Sequence, residues 1–322
     1  MKTKVASIKR IRRTDSIQLI ADLRADRYSL LASLGCNEMR TEMEKVGKDC
    51  RRVLSAAEFL ARLKPGDYRQ NLRSSLGRIL NWGAPTEVHG FFPHPRSGVV
   101  LGFNHPTLGE IIRLIAICVT EYPNRKYLFP VSIGWYEVLA PVAYRMEKFG
   151  LFITPTITPA VREKMSAHLD SKRKAIVERI ARDFNRIYLE ACVDFSNSND
   201  LIVIAPSATR QSTVFRNRDQ CICREHIEPQ TMTYIAMHLD RAKQLSSYFV
   251  PVAVIPPPDG NNKLNLFKEY RIIPCNWIQP DAVRRYCKCK DRTLGDRRFE
   301  HYFLKQIADE LSENNADYLI YP

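Results

Sequence analysis

Short runs of β-branched and other apolar residues alternate with longer amphipathic segments from Val88 onward, and this alternation constrains the fold more than any other feature. The short runs predict strands at 97–103, 127–133, 149–154, 201–207, 248–255 and 268–275, the last of them edge-like. The longer segments predict helices at 108–122, 136–148, about 160–192, 230–246 and 296–314. Such alternation is typical of an α/β fold, here with a mixed, largely parallel central sheet flanked by helices.

The first eighty or so residues follow a different pattern, because their apolar residues recur at intervals of three and four. This spacing predicts helices over three segments, 16–35, 38–63 and 68–82. Pro65 and Gly66 stop the second of these helices. We therefore expect two domains, an N-terminal helical bundle at residues 1–84 and an α/β domain at residues 85–322.

The formal net charge of +14 at pH 7 is large for a chain of 322 residues. A positive net charge of this size favours an acidic partner, such as nucleic acid, an anionic membrane surface or an acidic carrier protein. The sequence carries no nucleic-acid-binding module, and no uncharged apolar run reaches the roughly 18 residues that a membrane-spanning helix needs. The basic segment 1–16 lacks the apolar centre of a secretory signal, so we expect either a solvated tail or an arm for an anionic membrane.

The nine cysteines are odd in number and scattered, which predicts reduced thiols in a cytosolic compartment. Candidate metal ligands are two Cys-x-Cys pairs and two further side chains, namely Cys221, Cys223, Cys287, Cys289, His226 and Cys275. Zinc ligands within one arm usually have two to four residues between them, whereas these pairs have one. We therefore expect unbonded thiols and no metal site.

Residues 99–110, VVLGFNHPTLGE, predict a strand that runs into a turn and then into a helix. His105 and Glu110 are five residues apart, so both side chains can lie at that turn. A carboxylate there can hydrogen-bond one imidazole nitrogen, hold the tautomer and make the other nitrogen a better base. The pair is a candidate catalytic base with its orienting group, and the alternatives are a helix-capping residue and a core histidine.

A second apolar strand, LIVIAPSATR at 201–210, leads into Ser207 and Arg210. An arginine beside hydroxyls and backbone N–H groups suits a phosphate, because its planar fork donates several hydrogen bonds. A surface arginine in a loop is the alternative. A later strand, VPVAVIPPP at 250–258, ends in prolines. More basic side chains lie on the long predicted helix, at Arg162, Lys164, Lys172, Arg173 and Lys174.

Taken in order, these segments resemble the glycerolipid acyltransferases, and most nearly the soluble, plastid-type glycerol-3-phosphate acyltransferases. The first motif of that family is Asn-His and, after four further residues, Asp; here His105 is followed by Glu110, and Thr107 also matches. KRKA at 172–175 matches a segment ahead of the third motif. IAPSATRQS at 204–212 resembles the third motif, IAPSGGRDR, and the strand ending in PPP comes next.

The resemblance covers roughly residues 85–280 and implies an O-acyltransferase of phospholipid biosynthesis. Such an enzyme moves a fatty acyl group from a thioester of acyl carrier protein or coenzyme A to the hydroxyl of glycerol 3-phosphate. By the same resemblance, His105 is the general base and Glu110 orients it. The phosphate of the acceptor is then bound by five side chains, Arg210, Lys172, Arg173, Arg162 and Ser207.

The resemblance implies no metal and no cofactor, because the acyl thioester is a substrate. It implies a cytoplasmic or plastid-stroma-like location, either soluble or in peripheral contact with an anionic membrane. It implies no nucleic-acid partner.

The chain departs from the family pattern in both motifs. Glu110 replaces Asp, Ala208 and Thr209 replace two glycines, and Ser212 replaces an arginine. A larger side chain at a glycine position alters the turn and the approach of a phosphate. Three alternatives therefore stay open: another acceptor (a lysophospholipid, an amine or a sugar), a non-catalytic relative that binds anionic lipid, and a nucleic-acid binder supported by net charge alone.

Overall fold

The computed structural model describes residues 48, 51–52, 54–60, 62–63, 68–105, 109–157, 162–163, 170–206, 231–242, 245–257, 267–287 and 292–314. The elements in chain order are α1 (Tyr68–Gly83), β1 (Thr86–Val88), β2 (Val99–Phe103), α2 (Glu110–Glu121), β3 (Tyr127–Ser132), α3 (Ile133–Met146), a 3-10 turn (Glu147–Phe149), β4 (Leu151–Thr156), α4 (Ser171–Asn197), β5 (Leu201–Ile204), α5 (Thr231–Arg241), β6 (Tyr248–Ile255), β7 (Tyr270–Pro274), α6 (Pro280–Cys287) and α7 (Arg292–Asn314).

The described strands form one seven-stranded sheet in the order β1-β7-β6-β2-β5-β3-β4. All neighbouring pairs in this sheet are parallel except β6 and β7, which are antiparallel. The residues of β2 and β5 are entirely buried, as expected for central strands of a parallel sheet covered on both faces. The predicted fold class, α/β with a mixed and largely parallel sheet, is therefore confirmed.

Helices cover both faces of the sheet. On one face α1, α2 and α3 pack into a core with apolar residues of β2, β3 and β4. On the other face α4, α5, α6 and α7 enclose a second core. The helical residues Leu54 and Ala57 belong to the first core, as do Leu76 and Leu80 of α1. Among the described residues, no helix combines the length and the apolar character needed to cross a membrane.

Several predicted boundaries need correction. The segment 268–275 is not at an edge, because the short strand β1 pairs with its outer side. The strand predicted at 201–207 ends earlier, at Ile204, and Pro206 lies in the turn that follows it. The long helix, predicted at about 160–192, spans Ser171–Asn197: Asp170 just before it is not helical, and its apolar face continues to Phe195 beneath the sheet. The sequence reading missed β1 and α6.

The predicted N-terminal bundle lies largely outside the described residues, including the whole of the helix at 16–35. Of its three predicted helices, the one at 68–82 corresponds to α1, which contacts α2. The division of the chain at residue 84 stays a prediction.

Candidate active site

The candidate site begins at the carboxyl end of β2. Asn104 and His105 follow the strand directly, and Glu110 is the first residue of α2. Residues 106–108 lie outside the described part of the chain. Since β2 lies between β6 and β5 and runs parallel to both, this turn lies near the middle of the carboxyl edge of the sheet. Ligand sites of open α/β sheets form at that edge.

The side chain of Asn104 fixes the turn to the neighbouring strand. Its Nδ2 donates to the carbonyl oxygen of Val254 at 2.8 Å, and the N–H of Val254 donates to Asn104 Oδ1 at 2.6 Å. The amide thus continues the pairing of β2 with β6 beyond Phe103 and Val252, the last backbone pair. Because Asn104 is buried, both bonds are shielded from water, and the position of the next residue, His105, is defined.

His105 and Glu110 are in direct contact. The imidazole Nδ1 is hydrogen-bonded to Oε1 of Glu110. Glu110 is completely buried, whereas the side chain of His105 remains 15% exposed. An ionised carboxylate accepts a proton-bearing Nδ1, and in this tautomer Nε2 is the nitrogen that accepts a proton. The geometry therefore supplies an oriented base with access to a ligand.

Arg113, one turn into α2, ties the start of that helix to the strand β7. It is fully buried, and its guanidinium donates to the carbonyl oxygens of Gly109 at 2.8 Å and Lys268 at 2.6 Å. The same group lies over the ring of Tyr270, 3.8 Å from its centroid. Burial lowers the pKa of Arg113 to about 10, whereas interactions with Tyr270 and Glu110 raise it. Arg113 therefore stays cationic at neutral pH, beside the buried Glu110.

The sequence reading missed the positioning roles of Asn104 and Arg113. Asn104 was part of the predicted turn, but its partner Val254 is 150 residues away in the sequence. Arg113 offered one signal, since it is the single charged residue in the otherwise apolar run IIRLIAICV at 111–119, which follows Glu110 in α2. A charge at a buried helical position requires partners, although the sequence does not identify them.

The predicted phosphate-binding residues Ser207 and Arg210 lie outside the described residues. The chain is described up to Pro206, just beyond β5. Ile204, the last residue of that strand, pairs with Gly102 of β2. The chain therefore leaves β5 beside the turn that carries His105, at the same edge of the sheet.

Lys172 and Arg173 lie in the first turn of α4. Asn185 of α4 exchanges two hydrogen bonds with the backbone of Ile157, just after β4, at 3.3 and 3.2 Å. Lys172 precedes Asn185 by thirteen residues, so the start of α4 extends about 20 Å beyond that point along the helix axis. Arg162 forms an ion pair with Glu178 of α4, at 3.1 Å. The start of α4 and Arg162 therefore lie towards the β4 side of the sheet, whereas His105 follows the central strand β2.

Among the described residues, no group of three or more His, Cys, Asp and Glu side chains could hold a metal ion. Cys118, Cys192, Cys275 and Cys287 are thiols rather than disulfides. The other members of the two Cys-x-Cys pairs and His226 lie outside the described residues.

Comparisons with known proteins add little. No protein-family model matches the chain, and no curated protein matches it. Among solved structures, the chain is similar to the 1-acyl-sn-glycerophosphate (LPA) acyltransferase PlsC from Thermotoga maritima, at 12% sequence identity and a TM-score of 0.42. The similarity covers 94% of this chain and 99% of that chain. At this level of similarity nothing follows about the activity.

Proposed function

We propose that this chain is a glycerolipid O-acyltransferase, which moves a fatty acyl group from a thioester to the hydroxyl of a phosphate-bearing glycerol acceptor. The observation that carries the proposal is the contact of His105 Nδ1 with the buried carboxylate of Glu110 at the carboxyl end of a central strand. The resemblance of residues 99–110 and 201–212 to the motifs of that family supports the same assignment.

The proposed mechanism uses His105 as general base. Its Nε2 takes the proton from the acceptor hydroxyl as the oxygen attacks the carbonyl carbon of the thioester. Glu110 stabilises the imidazolium that forms, because its buried carboxylate lies against Nδ1. The tetrahedral intermediate then collapses, the carbon–sulfur bond breaks, and the thiolate takes the proton from Nε2. The products are an ester and a thiol, and the base is regenerated.

Glycerol 3-phosphate is the proposed acceptor, with its phosphate bound by Arg210 and Ser207 and by the cations of the α4 region, Lys172, Arg173 and Arg162. The proposed donor is a thioester of acyl carrier protein or coenzyme A. An acidic carrier protein suits the net charge of +14, and so do the phosphates of coenzyme A. The proposed reaction requires no metal or organic cofactor, and the proposed location is the cytoplasm or a plastid-stroma-like compartment.

A second candidate acceptor is a lysophospholipid. Ala208 and Thr209 stand where the family carries two glycines, and Ser212 stands where it carries an arginine. Added side chains at glycine positions change how closely a phosphate can approach the backbone. Such changes favour an acceptor other than glycerol 3-phosphate without altering the chemistry of His105.

The proposal is tested by incubating the purified full chain with radiolabelled acyl-carrier-protein and acyl-coenzyme A thioesters. Glycerol 3-phosphate, a 1-acylglycerol 3-phosphate and unphosphorylated glycerol are compared as acceptors, and lipid products are separated by chromatography. We expect an ester product with a phosphorylated acceptor and much less with glycerol. If product forms with the 1-acylglycerol 3-phosphate and with neither of the other two, the acceptor is a lysophospholipid instead of glycerol 3-phosphate. Absence of transfer to every acceptor would contradict the proposed activity.

A further inference from the structure

Two large aromatic side chains, Trp82 and Phe267, form an exposed pair on the surface. Trp82 is 77% exposed and Phe267 is 63% exposed. Their rings contact each other edge to face, with centroids 5.5 Å apart and an interplanar angle of 82°. The pair therefore presents a combined apolar surface to the solvent, whereas an isolated exposed aromatic residue would need no explanation.

The backbone holds this pair in place. Phe267 has a φ of 64°, which is unfavourable for a bulky residue, and its N–H donates to the carbonyl oxygen of Gly83 at 2.9 Å. That hydrogen bond joins the segment before β7 to the end of α1, next to Trp82. The exposed position of Phe267 is thus built into the local backbone conformation.

The aromatic pair lies at the same edge of the sheet as His105. β7 is antiparallel to β6, and Arg271 at the start of β7 pairs with Ile255 at the end of β6. Phe267 precedes β7, so it lies beyond the carboxyl ends of β6 and β2. The hydrogen bond from Arg113 to Lys268, at 2.6 Å, connects this segment directly to the first turn of α2, which begins with Glu110.

Basic side chains flank the aromatic pair. Arg78 is exposed and lies four residues before Trp82, one turn away on the same face of α1. Lys268 is exposed and follows Phe267 directly. Glu269 is an exposed acidic neighbour, so the local charge is a small positive excess within a chain of net charge +14. Aromatic rings with flanking cations suit the headgroup level of an anionic bilayer.

We propose that the Trp82–Phe267 surface docks on a bilayer that contains anionic phospholipid. The two rings enter the headgroup region, and Arg78 and Lys268 face the lipid phosphates. The edge of the sheet that carries His105 then faces the membrane. The purpose of this contact rests on the proposed function, since an acyl product with long apolar chains leaves the site most easily into lipid.

Sedimentation with vesicles tests this surface without any substrate. The full chain is mixed with phosphatidylcholine vesicles that either contain or lack phosphatidylglycerol. We expect binding that depends on phosphatidylglycerol and that falls at least tenfold in the double variant Trp82→Ala, Phe267→Ala. The matched control is Trp277→Ala, because Trp277 is 49% exposed and packs against Tyr248 at the amino end of β6, away from this surface. Equal binding of the wild type and the double variant would overturn the proposal.

A second measurement keeps the test independent of any folding defect in the double variant. Lipids brominated on their acyl chains should quench the tryptophan fluorescence of the wild type, and Trp82→Phe should lose that quenching while it still binds vesicles. Unchanged quenching in Trp82→Phe would overturn the assignment of this surface. Acyl transfer to a soluble acceptor is measured separately without vesicles. Its absence alongside intact vesicle binding would contradict the proposed activity and leave the docking surface standing.

Discussion

His105 owes its orientation to two side chains that act from different directions. Asn104 fixes the backbone of the turn through its paired hydrogen bonds with Val254. Glu110 fixes the ring through Nδ1. A completely buried carboxylate is costly to desolvate, so its hydrogen bond with the imidazole and the nearby charge of Arg113 offset part of that cost. This arrangement indicates that His105 and Glu110 have a functional role and do not serve only to cap a helix.

Replacement of Glu110 by Gln tests the orienting role. The amide keeps the shape of the side chain but can donate a hydrogen bond to Nδ1, which favours the tautomer with the proton on Nε2. We expect turnover to fall by about tenfold or more, yet by less than the loss of the imidazole itself causes. The measurement is the rate of acyl transfer at saturating acceptor. If Glu110→Gln keeps the wild-type rate, Glu110 does not orient His105 and acts only as a negative charge at the start of a helix.

Replacement of Arg210 by Ala tests the proposed phosphate contact. If the guanidinium holds the phosphate equally in the ground and transition states, its loss should raise the KM for the acceptor and leave kcat nearly unchanged. Steady-state kinetics with glycerol 3-phosphate and with a lysophospholipid measure both constants. The same substitution should leave the KM for the thioester unaltered. An unchanged acceptor KM would assign Arg210 to the structure of its loop instead.

At the scale of elements, β2 and α7 are in unusually close contact beneath the candidate site. A Cβ atom added to Gly102 would lie 2.5 Å from Cζ of Phe303 and 3.0 Å from the terminal methyl of Met232. Phe303 belongs to α7 and Met232 to α5, and both are completely buried. Gly102 therefore lets two helices approach the strand just before Asn104 and His105.

Replacement of Gly102 by Ala should destabilise the protein by about 1–3 kcal/mol, because the new methyl overpacks the core. Urea unfolding followed by circular dichroism gives the free energy of unfolding. Gly83→Ala is the matched control, since a Cβ there would meet no atom within 4 Å. We expect the control to be neutral or slightly stabilising. Equal stabilities for the two variants would show that the core around Gly102 relaxes freely.

At the scale of the whole molecule, a buried carboxyl joins two helices of the second core. Glu300 of α7 is completely buried, and its Oε2 accepts hydrogen bonds from the backbone N–H and the hydroxyl of Thr233 in α5, at 3.0 and 3.3 Å. Burial raises the pKa of Glu300 to about 8, although the hydrogen bonds from Thr233 and Met232 lower it. The folded state thus keeps a proton that the unfolded chain releases at much lower pH.

The raised pKa of Glu300 has a defined effect on stability. Its contribution to the free energy of unfolding is fully present below the ordinary pKa of a glutamate, and this contribution is lost as the pH rises towards about 8. Glu300→Gln removes this titration and keeps an acceptor for Thr233. As the pH is raised from 5.5 to 8.5, the Tm of Glu300→Gln should therefore rise relative to the Tm of the wild type. Glu269→Gln, at an exposed position, is the control; a constant difference between Glu300→Gln and the wild type would contradict the account.

The sequence predicts those parts of the fold that local pattern determines. The apolar run predicted at 248–255 is the strand β6, with the same bounds, because a strand buried on nearly all sides has a distinctive composition. The three-residue strand β1 has half-exposed and exposed residues and exists through its pairing with β7, which a local pattern does not contain. The local pattern therefore places 268–275 at the edge of the sheet, whereas β1 occupies that edge.

The same distinction applies to the candidate site. The five-residue spacing of His105 and Glu110 predicts their contact, since a turn and a helix start bring both side chains to one place. The partners of Asn104 and Arg113 come from β6 and from the segment before β7, more than 140 residues away in the sequence. Contacts over such separations follow from the strand order, which the sequence does not specify.

The central claim is that His105 is the catalytic base of an acyl transfer, and one comparison of rates tests it most directly. Acyl transfer from a thioester to the best acceptor is measured for the wild type, His105→Ala and His94→Ala. His94 is the matched control, because it is exposed and lies 3.4 Å from Glu121 at the opposite end of α2. The account predicts that His105→Ala loses at least about 100-fold in turnover, whereas His94→Ala keeps the wild-type rate. Retention of the wild-type rate by His105→Ala would contradict it.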